Sequence, residues 1–315
     1  MEYRKFENLG VSPSLLGFGC MRFPQTPDGN IDEAEAERML DRALKAGVTY
    51  IDTAYPYHNG DSEPFVGKVL KKYDRKSFYL ATKLPVWNVK TLDDAKRIFQ
   101  EQLDRLDVDY VDFYLLHCLD KEKWQNVLNL GIIPYMEELK KEGKIKFFGF
   151  SFHDDFETFK TIATYRKWDF CQIQYNYVDT DIQAGDKGYE LTQELGIPLV
   201  IMEPVKGGLL ANPPETVAQV LKAAAPEKDL PSWALRFAAS LEGIITVLSG
   251  MSTLEQMEQN LATMKEFSPL SAQEQAVVAQ AREALASLPS IPCTSCQYCV
   301  KGCPQGIPIP GVFSA

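Results

Sequence analysis

The sequence predicts a (β/α)8 barrel that begins with an N-terminal β-hairpin and ends with a helix and a cysteine-rich tail. Strand-like segments alternate with helical patterns about eight times along the chain, and eight such units close into a barrel. The length of 315 residues fits a barrel of this kind with added segments. Acidic residues follow Asp32 in a predicted first helical turn, and Gly47, Gly143 and Gly196 end helical segments.

The elements follow one another in a regular order. The predicted strands are 3–6 and 14–18 in the hairpin region, then 49–52, 78–83, 110–117, 145–151, 170–176, 198–204 and 244–250. The predicted helices are 32–47, 62–72, 92–106, 124–142, 156–165, 188–195, 233–241, 254–264 and, after the barrel, 272–286. Pro289 and Pro292 then mark a break before the cysteines.

A doubly wound dinucleotide-binding fold is the competing architecture. It requires G-x-G-x-x-G directly between the first strand and the first helix. The nearest match, GFGCMR at 17–22, lacks the third glycine, and a loop with Pro24 and Pro27 separates it from the helix. The barrel is therefore the better prediction.

Composition limits the classes of partner. Hydrophobic residues make up 45% of the chain and charged residues 24%, and the formal net charge is −10. This balance argues against nucleic acid and anionic membranes as partners, since both require a basic face. The first residues, MEYRKFENLG, lack the apolar core of a signal peptide, and no apolar run is long enough to span a bilayer. Scattered Cys20, Cys118 and Cys171 favour a reducing, cytoplasmic location.

Four polar side chains fall at the ends of three consecutive predicted strands. Asp52 ends one strand and Tyr57 follows it in the loop, while Lys83 and His117 end the next two strands. The carboxyl ends of barrel strands meet on one rim, so these groups are expected to converge. Each residue could separately be structural, but four at matching strand ends favour a common site.

These residue types suit proton donation to a carbonyl oxygen. A phenol is a weak acid near neutrality, and a nearby ammonium is expected to lower the pKa of Tyr57. Asp52 would hold Lys83, and His117 would donate a hydrogen bond to the same oxygen.

The chain resembles the aldo-keto reductases, which are NAD(P)H-dependent barrel enzymes. The matching motifs are LGFGCMR (16–22), YIDTAYPY (50–57), ATK (81–83), YLLH (114–117), GFS (149–151), QIQYN (172–176), EPVKGG (203–208) and MSTLEQMEQN (251–260). The likeness extends from the hairpin to about residue 265. It implies that Asp52, Tyr57, Lys83 and His117 are the catalytic residues of a reductase that converts an aldehyde or ketone to an alcohol.

The resemblance also implies a nicotinamide cofactor extended across the barrel mouth. Ser151 and Gln172 would hold the carboxamide, residues 203–208 would surround the pyrophosphate, and residues 250–252 would lie at the adenosine end. The full set of implied cofactor residues is Gly19, Cys20, Met21, Asp52, Ser151, Gln172, Met202, Glu203, Pro204, Val205, Gly207, Ser249, Gly250, Met251, Ser252, Gln256, Gln259 and Asn260.

Three positions depart from the family pattern. Phe152 replaces the usual asparagine after the serine, and Met202 replaces an aromatic residue beneath the nicotinamide. Gly250 and Gln256 replace the cations that many members use on the 2′-phosphate. NADPH is still the expected cofactor, with NADH as the alternative. Trp87 and Phe23 follow strands and indicate either an apolar substrate pocket or packing.

The tail CTSCQYCVKGCP (293–304) has the spacing C-x2-C-x2-C-x3-C-P, which is typical of bacterial ferredoxins. Cys293, Cys296, Cys299 and Cys303 are therefore predicted to hold a [4Fe–4S] cluster, with zinc as a weaker alternative. Cys20 is the alternative fourth ligand. A subset of reductases that resemble this chain carries a second cysteine motif further on, whereas this sequence stops at Ala315 and is either short or truncated.

The predicted organisation is a reductase barrel over 1–288 and a ferredoxin-like segment over 289–315, where the cluster is either a structural clasp or an electron relay. A small carbonyl compound is the expected substrate, and an electron-transfer protein is a second kind of partner. The alternative function is a cofactor-binding redox sensor or electron-transfer protein. The intact set of Asp52, Tyr57, Lys83 and His117 favours the enzyme.

Overall fold

Eight parallel strands close into a barrel in the computed structural model, which describes residues 1–288, 298–301 and 303–313. The strands are β1 Leu16–Gly19, β2 Tyr50–Asp52, β3 Tyr79–Leu84, β4 Val111–Leu119, β5 Ile145–Phe152, β6 Phe170–Gln174, β7 Leu199–Met202 and β8 Ile244–Ser249. Each strand pairs with its neighbours in sequence, and β1 pairs with β8 to close the barrel. The predicted (β/α)8 barrel is confirmed.

Helices follow the strands along the chain. They are α1 Glu33–Lys45, α2 Ser62–Leu70, α3 Leu92–Leu106, α4 Lys121–Asn129, α5 Ile132–Lys141, α6 Phe156–Ala163, α7 Gly185–Leu195, α8 Glu215–Ala224, α9 Leu230–Ala239, α10 Leu254–Lys265, α11 Ala272–Ala286, α12 Tyr298–Lys301 and α13 Ile309–Phe313. None of these described helices combines the length and apolar composition that a bilayer crossing needs.

Local capping explains why helix α3 begins and ends where the sequence predicts. The Thr91 hydroxyl accepts a hydrogen bond from the Asp94 N–H at 3.2 Å, and the Asp94 carboxylate accepts one from the Thr91 N–H at 3.0 Å. This reciprocal pair satisfies two backbone donors at the helix start. At the other end Asp107 adopts φ 53°, a left-handed conformation that stops the helix.

Two helical predictions were incomplete. The predicted helix 124–142 is two helices, α4 and α5, because Gly131 adopts φ 67° between them. A left-handed residue cannot continue a right-handed helix, whereas the apolar pattern runs on across the break. Helix α8 was absent from the prediction.

The N-terminal segment closes one end of the barrel. Tyr3 bridges Ser14 and Phe6 bridges Val11 in antiparallel register, as expected for the hairpin. Phe6 and Val11 pack against an apolar cluster that includes Tyr50 and other residues of the strands. The opposite end, where the strands terminate, is left for the functional site.

A second apolar cluster joins α8, α9 and α11 outside the barrel. It contains Val217, Leu221, Trp233, Val278 and Ala281, all buried. An ion pair of 3.3 Å between Arg282 and Asp181 adds a link from α11 to the loop after β6.

Candidate active site

The Lys83 ammonium and the Asp52 carboxylate form a buried ion pair at the rim of the barrel. Lys83 Nζ donates to Asp52 Oδ1 at 2.7 Å and to the Thr53 carbonyl at 2.8 Å. β2 and β3 are adjacent strands, with Asp52 opposite Ala81, so Lys83 extends from two residues further along. Both groups are buried, so water does not stabilise either charge and each charge depends on the other.

Tyr57 and His117 lie against this pair. Tyr57 begins the tight turn after β2, and its ring centroid is 5.0 Å from Lys83 Nζ. The His117 ring packs edge-on to Tyr57 with centroids 6.0 Å apart, and Trp87 packs on His117 at 5.0 Å. The four predicted catalytic residues therefore meet at one place, and Trp87, predicted either to form an apolar substrate pocket or to serve packing, contacts one of them.

Burial controls the protonation of Tyr57 and His117. The pKa of Tyr57 is raised well above its ordinary value, first by burial and then by the Asp52 carboxylate. The net direction is therefore opposite to the lowering expected from Lys83, because burial and the Asp52 carboxylate outweigh it. Burial, and then the Lys83 charge, lower the pKa of His117 well below its ordinary value. At neutral pH the phenol keeps its proton and the imidazole is uncharged.

A buried network behind β3 ties α2 to Lys83. Glu63 accepts hydrogen bonds from Thr82 Oγ1 at 2.7 Å and from Gln102 Nε2 at 2.6 Å. Gln102 Nε2 also lies 3.0 Å from the Lys83 carbonyl oxygen, to which it donates. The loop that carries Tyr57 is therefore held at both ends, by Asp52 on one side and Glu63 on the other.

A cavity of about 710 Å³ opens above these residues. Its lining includes Asp52, Tyr57 and His117 of the predicted catalytic set, while Lys83 lies beneath the cavity floor. The predicted cofactor residues that line it are Gly19, Met21, Asp52, Ser151, Gln172, Met202, Glu203, Pro204, Val205, Gly207, Ser249, Gly250, Met251, Ser252, Gln256, Gln259 and Asn260. Cys20 is instead fully buried, and burial raises its pKa well above the ordinary value.

Several polar atoms at this site have unused hydrogen-bonding capacity. Asp52 Oδ2, His117 Nδ1 and Gln172 Oε1 are buried and have no hydrogen-bond partner among the described residues. Ser151 Oγ accepts a hydrogen bond from the Cys118 N–H at 2.7 Å, which leaves its own proton available. Unsatisfied buried polar groups are rare in folded proteins and here suit a ligand with complementary polar atoms.

The segment 203–208 after β7 is a strained turn. Glu203 has φ 57° and Lys206 φ 49°, both in the left-handed region, and Gly207 and Gly208 also have positive φ. Glu203 Oε2 accepts from the Gly207 N–H at 2.8 Å. Burial raises the pKa of Glu203, and the Arg22 guanidinium partly offsets this. Backbone strain of this kind is concentrated at ligand-binding sites.

On the other side of the cavity, glycines allow the loop after β1 and the loop after β8 to pack closely together. A Cβ atom at Gly19 would lie 3.2 Å from the Ser249 carbonyl oxygen, and one at Gly250 would lie 2.8 Å from Arg22 Cγ. Ser252 Oγ donates to the Arg22 carbonyl at 2.9 Å, and Gln256 Oε1 accepts from the Ser252 N–H at 2.8 Å. The loop after β8 and the loop after β1 therefore form one continuous wall.

Sequence reasoning missed some residues of the cavity wall, among them Arg22, Cys118, His153, Gln174, Asp179 and Phe313. His153 and Gln174 lie two residues beyond Ser151 and Gln172, so the two-residue period of a strand could have identified them. Phe313 comes from α13 and could not be placed by pattern. Phe23 is buried against Phe18 and Phe65, so it serves packing.

The cysteine tail is partly described. Cys299 is exposed, and the backbone N–H groups of Ile307, Gln305 and Gly306 lower the pKa of Cys303. The predicted ligands Cys293 and Cys296 lie outside the described residues. Among the described residues, no group of three or more metal-binding side chains comes together.

The comparisons with known proteins agree with this geometry. Residues 15–283 match the Aldo/keto reductase family, and the chain belongs to that family of oxidoreductases. L-galactose dehydrogenase from Arabidopsis thaliana is 28% identical over 299 residues, which cover 88% of this chain and 92% of that protein. The NADH-specific methylglyoxal reductase of Escherichia coli is 24% identical over 304 residues, covering 81% and 90%.

Solved structures show the same barrel. The holo form of an aldo-keto reductase from Bacillus halodurans superposes with a TM-score of 0.75 at 28% identity, covering 89% of this chain and 96% of that one. A Klebsiella pneumoniae aldo-keto reductase in complex with NADPH gives a TM-score of 0.72 at 21% identity, covering 89% and 95%.

Proposed function

We propose that this chain is an NAD(P)H-dependent reductase that converts an aldehyde or ketone to an alcohol, with Tyr57 as the general acid. The observation that carries the proposal is the meeting of a protonated phenol and a neutral imidazole at the floor of one cavity, above a buried Lys83–Asp52 pair. Two relatives are named for L-galactose and methylglyoxal, which supports a small oxygenated substrate.

The cavity residues fit a nicotinamide dinucleotide. The unpartnered Gln172 Oε1 suits an amide N–H of the carboxamide, and the Ser151 hydroxyl suits its carbonyl. The tight turn at 203–208 suits the pyrophosphate, and the wall formed by Gly19, Gly250 and Ser252 suits the remaining part of an extended ligand. When bound, the reduced nicotinamide supplies a hydride. NADPH is the proposed cofactor, and NADH is the alternative.

Residues of the chain itself would donate the proton and stabilise the charges that form. Tyr57 donates its phenolic proton to the carbonyl oxygen, so that the carbon gains the hydride and the oxygen gains the proton. His117 donates a hydrogen bond to that oxygen as negative charge develops. Lys83 stabilises the phenolate that remains until solvent returns a proton, and Asp52 keeps Lys83 charged and oriented.

The test is Tyr57→Phe, which removes the acid and keeps the ring. We expect aldehyde reduction to fall by about two to four orders of magnitude, the range typical of general acid catalysis, because no other group donates a proton at that position. The variant should still bind the cofactor, as measured by NADPH fluorescence. Retained turnover in the variant would remove Tyr57 from the acid role.

For the tail, we propose that Cys293, Cys296, Cys299 and Cys303 hold one [4Fe–4S] cluster. The ferredoxin spacing supports the set of four. The backbone N–H groups of Ile307 and Gln305 lower the pKa of Cys303, which favours the thiolate form that a metal ligand needs. In this proposal residues 1–288 form the reductase, residues 289–315 form the cluster segment, and the protein acts in the cytoplasm with an electron-transfer protein as a second partner.

A further inference from the structure

A continuous line of hydrogen bonds runs along one wall of the cavity from Asp179 to His153. Gln174 Nε2 donates to Asp179 Oδ2 at 2.9 Å, and Gln183 Nε2 donates to Gln174 Oε1 at 3.2 Å. His153 Nδ1 lies 3.2 Å from Gln183 Oε1. Lys206 forms a buried ion pair with the other carboxylate oxygen of Asp179, and all five side chains line the cavity.

The carboxylate at one end sets the direction of every bond. A carboxylate only accepts, so Gln174 must present its amide N–H to Asp179 and its oxygen to Gln183. Gln183 then uses its own N–H on Gln174 and turns its oxygen toward His153. That oxygen can only accept, so His153 Nδ1 must carry a proton.

The tautomer of His153 follows from this direction. Burial lowers the pKa of His153, so the ring is uncharged at neutral pH. An uncharged imidazole with its proton on Nδ1 carries a lone pair on Nε2. Within the described residues no side chain or backbone group donates to Nε2, and this atom is not among the buried unpartnered ones. Nε2 is therefore an accessible hydrogen-bond acceptor at the cavity wall.

The orientation of the Gln183 side chain requires a strained backbone. Gln183 holds φ 55°, a left-handed conformation that residues with a Cβ rarely adopt. His153 directly follows β5, and its backbone N–H donates to the Leu119 carbonyl at 2.9 Å. The imidazole is close enough to His117 for a charge on His153 to lower the pKa of His117. The acceptor and the group proposed to bind the carbonyl oxygen thus belong to residues that line the same cavity.

We propose that His153 accepts a hydrogen bond from a hydroxyl group of the substrate, so that this enzyme prefers hydroxylated aldehydes or ketones over unsubstituted ones. The inference rests on the proposed carbonyl reductase function and adds the substrate class. A neutral acceptor selects a donor, and a hydroxyl is the neutral donor that fits. Gln183, Gln174 and Asp179 are positioning residues that fix the His153 tautomer.

The experiment compares glyceraldehyde with propanal, which have the same carbon skeleton and differ in two hydroxyl groups. Both are assayed with NADPH on the full chain, on His153→Phe and on Gln183→Met. The ratio of kcat/KM values for the two aldehydes is the measured quantity, and hydration of the aldehydes cancels when this ratio is compared between variants.

We expect His153→Phe to lower the ratio about fivefold to tenfold, the value of one neutral hydrogen bond. The loss should appear mainly in KM for glyceraldehyde and should exceed any loss for propanal, because propanal carries no hydroxyl group. Gln183→Met keeps the imidazole and frees its tautomer, so it should lower the ratio by a smaller factor.

An unchanged ratio in His153→Phe would overturn the proposal, as would equal losses for both aldehydes together with weaker NADPH binding. If the parent protein reduces neither aldehyde, the proposed reductase function fails, and the role of His153 needs a separate test. In that case, saturation-transfer NMR of glycerol and propan-1-ol on the protein with oxidised cofactor measures whether His153 binds a hydroxyl group. Loss of the glycerol signal alone in His153→Phe supports the acceptor role, and equal signals in parent and variant contradict it.

Discussion

At the scale of single residues, the Asp52 carboxylate depends on the Lys83 ammonium. Burial raises the pKa of Asp52, and the Lys83 charge and hydrogen bond offset part of that rise. Removing one member of a buried ion pair leaves the other charge without compensation. The pair therefore has a measurable effect on the stability of the fold as well as a proposed catalytic role.

We predict that Lys83→Met lowers the free energy of unfolding at neutral pH by about 3–5 kcal/mol. The folded pKa of Asp52 rises further above the unfolded value of about 4, so the folded protein holds a proton that the unfolded chain has lost. Stability then falls as pH rises from about 4 toward the folded pKa of Asp52. Urea unfolding at several pH values measures this slope.

The double variant Lys83→Met with Asp52→Asn provides the control, since it carries no buried charge at this position. Its stability should show a weaker dependence on pH than that of Lys83→Met. If the single variant shows the same pH profile as the parent protein, the two groups do not act as a pair.

At the scale of elements, the loop after β8 and the start of α10 form the part of the cavity wall that lacks cations. Gln256 is in the first turn of α10, and its side chain accepts from the Ser252 N–H at an exposed position. Water can replace that acceptor, so a substitution at Gln256 should leave the loop folded. The position is suited to testing which end of a dinucleotide reaches this wall.

We predict that Gln256→Arg tightens NADPH binding about tenfold and changes NADH binding much less, because a charge-assisted bond to a phosphate is worth about 1.5–3 kcal/mol. Fluorescence titration with both cofactors measures the two dissociation constants. The matched control is Gln219→Arg on the exposed face of α8, which adds the same charge outside the cavity. Equal tightening for both cofactors would show that the 2′-phosphate lies elsewhere.

Local sequence signals fixed some elements and failed for others. Helix α3 was predicted with its observed limits because Thr91 and Asp94 cap it within four residues of chain. The predicted helix 124–142 was wrong because a single left-handed glycine divides it, and an apolar pattern does not record a backbone angle.

At the scale of the whole molecule, the C-terminal helix α13 contributes to the wall of the cavity. Phe313, beyond the last cysteine, lines the same cavity as Tyr57 and His117. Phe313 belongs to α13, so this part of the tail contributes to the cavity wall.

We predict that anaerobic reconstitution of the full chain yields broad visible absorbance with about four iron atoms per chain. Each single Cys→Ser variant at Cys293, Cys296 and Cys299 should lose both signals, and Cys303→Ser should lose them if it is the fourth ligand. Cys171→Ser, at a buried barrel position, is the matched control and should keep the cluster.

Retention of the cluster in Cys303→Ser would move the fourth ligand to another residue. Binding of iron by every variant at the level of the parent protein would contradict the cluster assignment. Zinc in place of iron after aerobic and anaerobic purification would support the alternative metal.

The sequence by itself determined the barrel and the meeting of four polar residues at its rim. Strand–helix alternation and strand-end positions depend on neighbours in the chain, and they placed Asp52, Tyr57, Lys83 and His117 on one rim. The wider cavity wall was predicted through family likeness, and all of its predicted residues except Cys20 line the cavity.

Only the tertiary structure decided the electrostatics and the polar wall. The raised pKa of Tyr57 arises from burial, a quantity that no local pattern contains. The line from Asp179 to His153 joins a residue that follows β5 with residues from β6 and the loop after it, and its direction comes from hydrogen bonds between them. Proton positions depend on which groups face each other across space, and the fold alone brings those groups together.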